Sequence, residues 1–287
     1  MSLKIIDTFS GIGGFSYAAE KLVGGFETVT FVECEPYCQK ILKKHWPNVP
    51  IYDDIKSYQP KPYSADVICG GFPCQDISVA GLQKGITKET RSGLFFELVR
   101  VIRMVRPKYV VLENVAAILN RGLDIVLREL SQAGYDAEWA VISASSMGAC
   151  HQRSRFWLVA YPNKARLQEE RPEQQTTGVE QYRKLGNVAY PNDYGPSSST
   201  ELANSFSQRT QIQYEQRGSS VWTLPSSYGE KRSTLSPNWQ AYESKPCLRR
   251  GDDGLSNWTH RLKALGNSVC PQVAAIPLQR VLDIDRH

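Results

Sequence analysis

Over its first 160 residues the chain alternates short apolar runs with stretches of helical periodicity, and that alternation leaves few folds open. LKIIDTF (3–9), TVTFVE (28–33), ADVICGG (65–71), YVVLEN (109–114), AEWAVISA (137–144) and RFWLVAY (155–161) have the length and β-branched content of strands. Between them lie GGFSYAAEKL (13–22), PYCQKILKKH (36–45), GLFFELVRVIRMV (93–105) and GLDIVLRELSQAG (122–134), each with helical spacing of its apolar residues. In the third of these, Phe95, Leu98, Val99, Ile102 and Val105 share one face. Such alternation predicts an α/β fold, a doubly wound sheet with helices on both faces. Ligands of these sheets bind beyond the carboxyl ends of the strands, so the residues just past each run are the ones to examine.

The texture changes between about 162 and 255, which is rich in Ser, Thr, Gln, Asn, Tyr, Arg and Pro and poor in aliphatic runs. This segment does not belong to the same sheet. It carries twelve Lys/Arg against eleven Asp/Glu, so any charge directed at a polyanion must be sorted in space. VAYPN occurs at 159–163 and 188–192, a short turn-like repeat. NWTHRLKALGNSVCPQVAAIPLQRVLDI (257–284) then restores order with a Gly-Asn turn and an amphipathic helix. The expected organisation is a first domain over 1–161, a smaller polar domain over 162–255, and a segment over 256–287 that returns to the first.

With 287 residues, 41% of them hydrophobic, the chain is long enough for a full core and sits between one large domain and two. Its apolar runs fall far short of the roughly 18 residues of a membrane span, and Lys4 and Asp7 interrupt any secretory-type start. No membrane partner is expected. The seven cysteines are odd in number and lack CxxC pairs or nearby histidines, which argues against a disulfide framework or a metal and for a reducing, cytoplasmic setting. A net charge of +5 permits a polyanionic partner without demanding one.

Two ends of the first domain carry chemistry. DTFSGIGGFS (7–16) comes after the first strand and opens the first helix, where backbone N–H groups and small residues admit a nucleoside cofactor. Ser16 stands where the dinucleotide fingerprint needs its third Gly, which favours a cofactor without a pyrophosphate. Glu33, twenty residues after Gly13, ends the second strand, the place from which a carboxylate accepts hydrogen bonds from ribose hydroxyls. Asp54 and Ile55, after the third strand, offer an acceptor to an adenine amino group and an apolar wall to its ring. At the other end, GGFPCQ (70–75) sets Cys74 just beyond a strand, where a thiolate is a competent nucleophile, whereas Cys69 inside the strand reads as structural. Glu113 ends the neighbouring strand, and a carboxyl group shielded from water there acts as a proton donor. Arg153 and Arg155, two apart ahead of a strand, are placed to point the same way and to supply fixed positive charge.

Taken together, GGFPCQ, VLENV (111–115), QRSR (152–155), DTFSGIGGFS and LGNSV (265–269) resemble the prokaryotic and phage-like DNA (cytosine-5)-methyltransferases that use S-adenosylmethionine. The resemblance covers roughly 1–160 and 258–280. It implies a Rossmann-like methyltransferase sheet in which Cys74 attacks carbon 6 of a flipped cytosine while Glu113 binds ring nitrogen 3 and the amino group. It further implies that Arg155 contacts the base carbonyl with Arg153 in support, and that Asn114 and Pro73 shape the loop. Phe9, Gly11, Ile12, Gly13, Gly14, Glu33, Cys34, Asp54 and Ile55 would form the methyl donor's site, closed by Asn267, Ser268 and Val269. The loop from Gly81 to Gly93, with Lys84, Lys88 and Arg91, would close over the flipped nucleotide, and 162–255 would be the target-recognition domain. The implied partners are double-stranded DNA and a cognate restriction endonuclease, with the chain a monomer, no metal, and a nucleoid-associated location. Departures are Cys150-His151 ahead of the paired arginines, where Pro-Gln is common, and Ile77 in place of Phe. A tRNA cytosine-5 methyltransferase is the rival within the class; its Cys-Phe-Thr signature is absent. Amino-directed DNA methylation lacks its [DNS]-P-P-[YF] tetrapeptide, and a non-catalytic DNA-binding module would leave Cys74, Glu113 and Arg155 without a task.

Overall fold

The computed structural model describes residues 2–73, 93–163 and 258–286, and up to Tyr161 and from Trp258 onward these belong to one compact unit. Strands β1 (Leu3–Thr8), β2 (Phe26–Val32), β3 (Ile51–Tyr52), β4 (Val67–Gly70), β5 (Tyr109–Val115), β6 (Tyr135–Ile142) and β7 (Arg155–Pro162) form one sheet. Their order is β3-β2-β1-β4-β5-β7-β6. β1 pairs in parallel with β2 and β4, and β4 with β5, whereas β7 runs antiparallel to β5. All four residues of β4 and the first four of β5 are buried, as the strands of a sheet covered on both faces must be.

Helices supply that cover. α1 (Gly14–Tyr17) continues as a wide π segment (Ala18–Val23) where the periodicity predicts a uniform helix over 13–22. Ala18 and Ala19 are fully buried there, their small side chains leaving room for the last helix to approach. α2 (Pro36–His45) keeps the predicted bounds, with proline at its first position and Lys43, Lys44 and His45 complementing the dipole of its last turn. α3 (Leu94–Val105) buries the predicted face, Phe95, Leu98, Val99, Ile102 and Val105, and Leu98 lies against Gly70 of β4. After α4 (Ile118–Arg121) and α5 (Leu123–Gln132) come α6 (Trp258–Asn267) and α7 (Pro271–Asp285).

α7 is tied to the sheet by packing and by charge. Val273, Ala274, Leu278 and Val281 join the cluster built from Leu3, Ile5, Val67, Val111, Trp157 and Val159. At its solvent side Arg280 meets Glu138 of β6 through Nε at 2.6 Å and Nη2 at 3.2 Å, a two-pronged pair of fixed geometry. Among the described residues no helix is long and apolar enough to cross a membrane. The expectations for Cys74, for the Gly81–Gly93 loop before Gly93, for the second VAYPN copy and for the polar domain after Asn163 lie outside the described residues.

Candidate active site

The carboxyl ends of β1, β2, β4 and β5 bring most of the predicted residues to one edge of the sheet. On the β1–β2 side, the loop after β1 turns on Phe9 and Gly11, which have φ of 51° and 55°. Gly11 donates its N–H to Glu33 Oε2 at 2.7 Å, and Glu35 N–H reaches Glu33 Oε1 at 2.8 Å. The Glu33 carboxylate is thereby fixed against the glycine loop with lone pairs to spare on both oxygens. The three glycines differ in what they leave room for. A Cβ on Gly11 meets nothing within 4 Å among the described residues, whereas one on Gly13 would lie 2.6 Å from the Trp46 ring and one on Gly14 2.6 Å from Val269 Cγ2. Of the three, only Gly11 opens onto free space; the other two receive neighbours.

Farther along the edge, Ile55 is buried and Asp54 is exposed, with Asp54 Oδ1 accepting from Lys56 N–H at 2.9 Å. Arg100 of α3 pins this turn by donating to the carbonyls of Ile55 at 2.6 Å and Tyr58 at 3.1 Å. No sequence signal marked Arg100, because its role is to reach across the fold. Cys34 is exposed, its thiol pushed up by partial burial and by the neighbouring Glu33. Ile12 is half-buried, Asn267 exposed, and Ser268 and Val269 half-buried in the turn after α6.

Beneath the glycine loop lies a group that the sequence did not single out. Asp7 is fully buried, and its Oδ2 accepts from Ser16 Oγ at 2.7 Å and from Ser16 N–H at 3.3 Å. Among the described residues its Oδ1 has no hydrogen-bond partner. Burial, reinforced by the Glu33 and Glu20 charges and opposed by the Ser16 bonds, pushes its pKa to about 7 from 3.8. The folded chain therefore holds a proton on Asp7 at pH 4–7 that the unfolded chain releases, so stability present below about pH 4 is lost as pH rises through about 7. Asp7→Asn removes the ionisation and keeps an acceptor for Ser16. The urea midpoint of wild type, taken relative to that of Asp7→Asn, is expected to fall between about pH 4 and 7 by an amount equivalent to a few kcal/mol, and to level off above that. A constant difference across that range would mean that Asp7 ionises normally.

On the β4–β5 side, Glu113 stands near the end of β5, its side chain 14% exposed and its Oε1 3.1 Å from Arg155 Nε. Burial pushes its pKa to about 7, against the lowering pull of Arg155 and Arg153. Gly71 explains how the carboxyl group fits: a Cβ there would stand 3.1 Å from Glu113 Oε2. Asn114, 2% exposed, donates from Nδ2 to the Phe72 carbonyl at 3.2 Å, tying the end of β5 to the residue before Pro73. Pro73 is half-buried. The two arginines diverge where their spacing predicts a common direction. Arg153 has a φ of 33°, which breaks the extended alternation, and its Nη2 donates to the carbonyls of Gly266 and Ser268, each at 2.8 Å.

A sheet with one antiparallel strand set between β5 and β6, a glycine loop after β1 and an acid after β2 defines the α/β methyltransferase class. Within it, the C-5 cytosine-specific DNA methylase family matches residues 3–254, and the chain belongs to that family. It is 34% identical over 163 residues to the Type II methyltransferase M.CviJI of Paramecium bursaria Chlorella virus IL3A, covering 56% of this chain and 43% of that protein. It is 31% identical over 170 residues to M.HhaI of Haemophilus parahaemolyticus, covering 58% and 51%. M.NgoBI of Neisseria gonorrhoeae is 30% identical over 211 residues, covering 72% and 63%. The chain thus spans about half the length of the curated relatives it matches. Among solved structures, the S. pombe Dnmt2 methyltransferase aligns with a TM-score of 0.48 at 18% identity, covering 67% of this chain and 56% of that one.

Proposed function

We propose that the chain is a DNA (cytosine-5)-methyltransferase that takes its methyl group from S-adenosylmethionine and acts on a cytosine turned out of duplex DNA. The observation that carries the reading is Glu113: a carboxyl group with its pKa near 7, at the carboxyl edge of the sheet, beside Arg155 and against Gly71 of the GGFPCQ segment. A general acid works best with a pKa near the working pH, and burial brings Glu113 there.

The donor site is tested by its own residues. Glu33 has free lone pairs beside open space at Gly11, which suits a ribose diol; Asp54 is an exposed acceptor next to the buried Ile55, which suits an adenine. Phe9, Ile12, Gly13, Gly14, Cys34, Asn267, Ser268 and Val269 complete the proposed site. When bound, S-adenosylmethionine supplies an electrophilic methyl on a sulfonium.

The residues do the rest. The Cys74 thiolate adds to carbon 6 of cytosine, while the proton on Glu113 passes to ring nitrogen 3 and takes up the charge that would collect there. Carbon 5 becomes nucleophilic enough to accept the methyl. A base then removes the carbon-5 proton, the carbon–sulfur bond breaks, and the proton on nitrogen 3 returns to Glu113. Arg155 holds the base carbonyl and keeps a positive charge beside the carboxylate that forms, with Arg153 in support, and Asn114 and Pro73 fix the loop that carries the nucleophile. Extruding the base costs a few kcal/mol, which contacts in the pocket offset. Residues 162–255 are the proposed target-recognition domain, between a first domain over 1–161 and a returning segment over 256–287, in a cytoplasmic protein that acts as a monomer alongside a cognate restriction endonuclease.

Expression of the chain in cells without cytosine methylation is expected to place 5-methylcytosine in their DNA at a recurring sequence, read by sequencing of methylated bases. Methyl groups found in tRNA and absent from DNA would replace the reading with its RNA counterpart.

A further inference from the structure

We propose that Arg153 is a positioning residue for the methyl donor's site, acting by capping α6 and holding the turn at 266–269 closed against the glycine loop. This inference rests on the donor reading given above. A helix leaves its last carbonyls without partners, and they need donors from elsewhere. α6 has no basic residue in its own last turn. Arg153 fills that need from 113 residues away in sequence, one nitrogen donating to both the Gly266 and the Ser268 carbonyls at 2.8 Å. Its cationic head also meets the negative end of the helix dipole.

The capped carbonyls lead directly into the donor side. Val269 is the next residue after Ser268, and it fills the room that Gly14 leaves in the loop after β1. From the middle of α6, Lys263 pairs with Glu35 Oε2 at 3.0 Å, and the Glu35 N–H is one of the two that fix the Glu33 carboxylate. The turn therefore follows a helix tied to the donor side through Lys263 and ends on Val269 against Gly14, and Arg153 ties it to the segment that leads into the strand carrying Arg155. The left-handed backbone of Arg153 belongs to the same arrangement. With extended geometry at 153 the side chain would point with Arg155; with a φ of 33° it reaches α6 instead.

Three full-length variants test the assignment. Arg153→Gly accepts the left-handed backbone without strain and lacks the guanidinium, so it isolates the cap from the backbone. Arg153→Lys retains a cation able to donate to both carbonyls, and Arg153→Ala keeps the strain and loses the donor. Binding of S-adenosylhomocysteine is measured by calorimetry, amide exchange across 264–270 by mass spectrometry, and folding by thermal melting. For Arg153→Gly and Arg153→Ala the donor Kd is expected to rise about tenfold or more, and exchange at 264–270 to quicken by a similar factor, the scale of one lost charge-assisted hydrogen bond. Because a single nitrogen makes both bonds and an ammonium has three donors, Arg153→Lys is expected to stay within about threefold of wild type on both. Unchanged donor affinity in Arg153→Gly overturns the proposal, whether or not exchange quickens. So does equal loss of affinity in Arg153→Lys, because the cap would then not be what matters. A wild-type chain that fails to bind S-adenosylhomocysteine overturns the donor reading first and this inference with it, an outcome distinct from wild-type binding that survives Arg153→Gly.

Discussion

Glu113→Gln is expected to lower the rate of methyl transfer by about 100- to 10,000-fold, the range that a positioned general acid contributes. Glutamine keeps the shape of the side chain and its place against Gly71, where a Cβ would be 3.1 Å from Oε2, and gives up the charge that pairs with Arg155, so thermal melting is measured beside the rate. It has no proton to give to a ring nitrogen. The pH profile carries a second signature. Burial raises the Glu113 pKa from 4.5 to about 7, so the protonated, donating form prevails below that value and is lost as pH rises through it. The wild-type rate should therefore decline on the alkaline side of about pH 7. In Glu113→Gln the alkaline decline should vanish. Activity within about threefold of wild type would remove Glu113 from the chemistry.

The second large effect concerns capture. A polymerase-made duplex in which every cytosine carries fluorine at carbon 5 should trap the wild-type chain when S-adenosylmethionine is supplied. Cys74 adds to carbon 6 and carbon 5 takes the methyl, but fluorine does not leave as a proton does, so the carbon–sulfur bond has no route to break. The product is a covalent complex that survives denaturing electrophoresis. Cys74→Ser should give none, since an alcohol at neutral pH is a far weaker nucleophile than a thiolate. A trapped Cys74→Ser chain would place the attacking atom elsewhere, and Cys69 does not qualify: it is fully buried in β4, with its pKa raised well above the ordinary thiol value by burial and by Asp7.

Much of the site was legible because its parts sit where strands end. Glu33 and Glu113 were recognisable at the ends of apolar runs, and DTFSGIGGFS as a loop of small residues between a strand and a helix. Period and punctuation are properties of chain neighbours, so they survive in the sequence. Arg100, Trp46 and Asp7 were not legible. Each acts through partners 9 to 45 residues distant: Arg100 on the Ile55 carbonyl, Trp46 on Glu20 Oε2 at 3.0 Å and over Gly13, and Asp7 on Ser16.

By itself, the sequence determined an alternating α/β chain, a glycine loop after the first strand without a pyrophosphate fingerprint, and an acid near the end of a buried strand, since all of these arise from local spacing and the rules of sheet winding. The tertiary structure alone decided that β7 enters antiparallel beside β5, that Arg155 turns to Glu113 while Arg153 turns to α6, and that Asp7 and Glu113 have pKa values near 7. The reason is physical. A side chain's direction and its proton affinity depend on which distant groups exclude water around it or offer it a partner, and those groups meet only when the chain has folded.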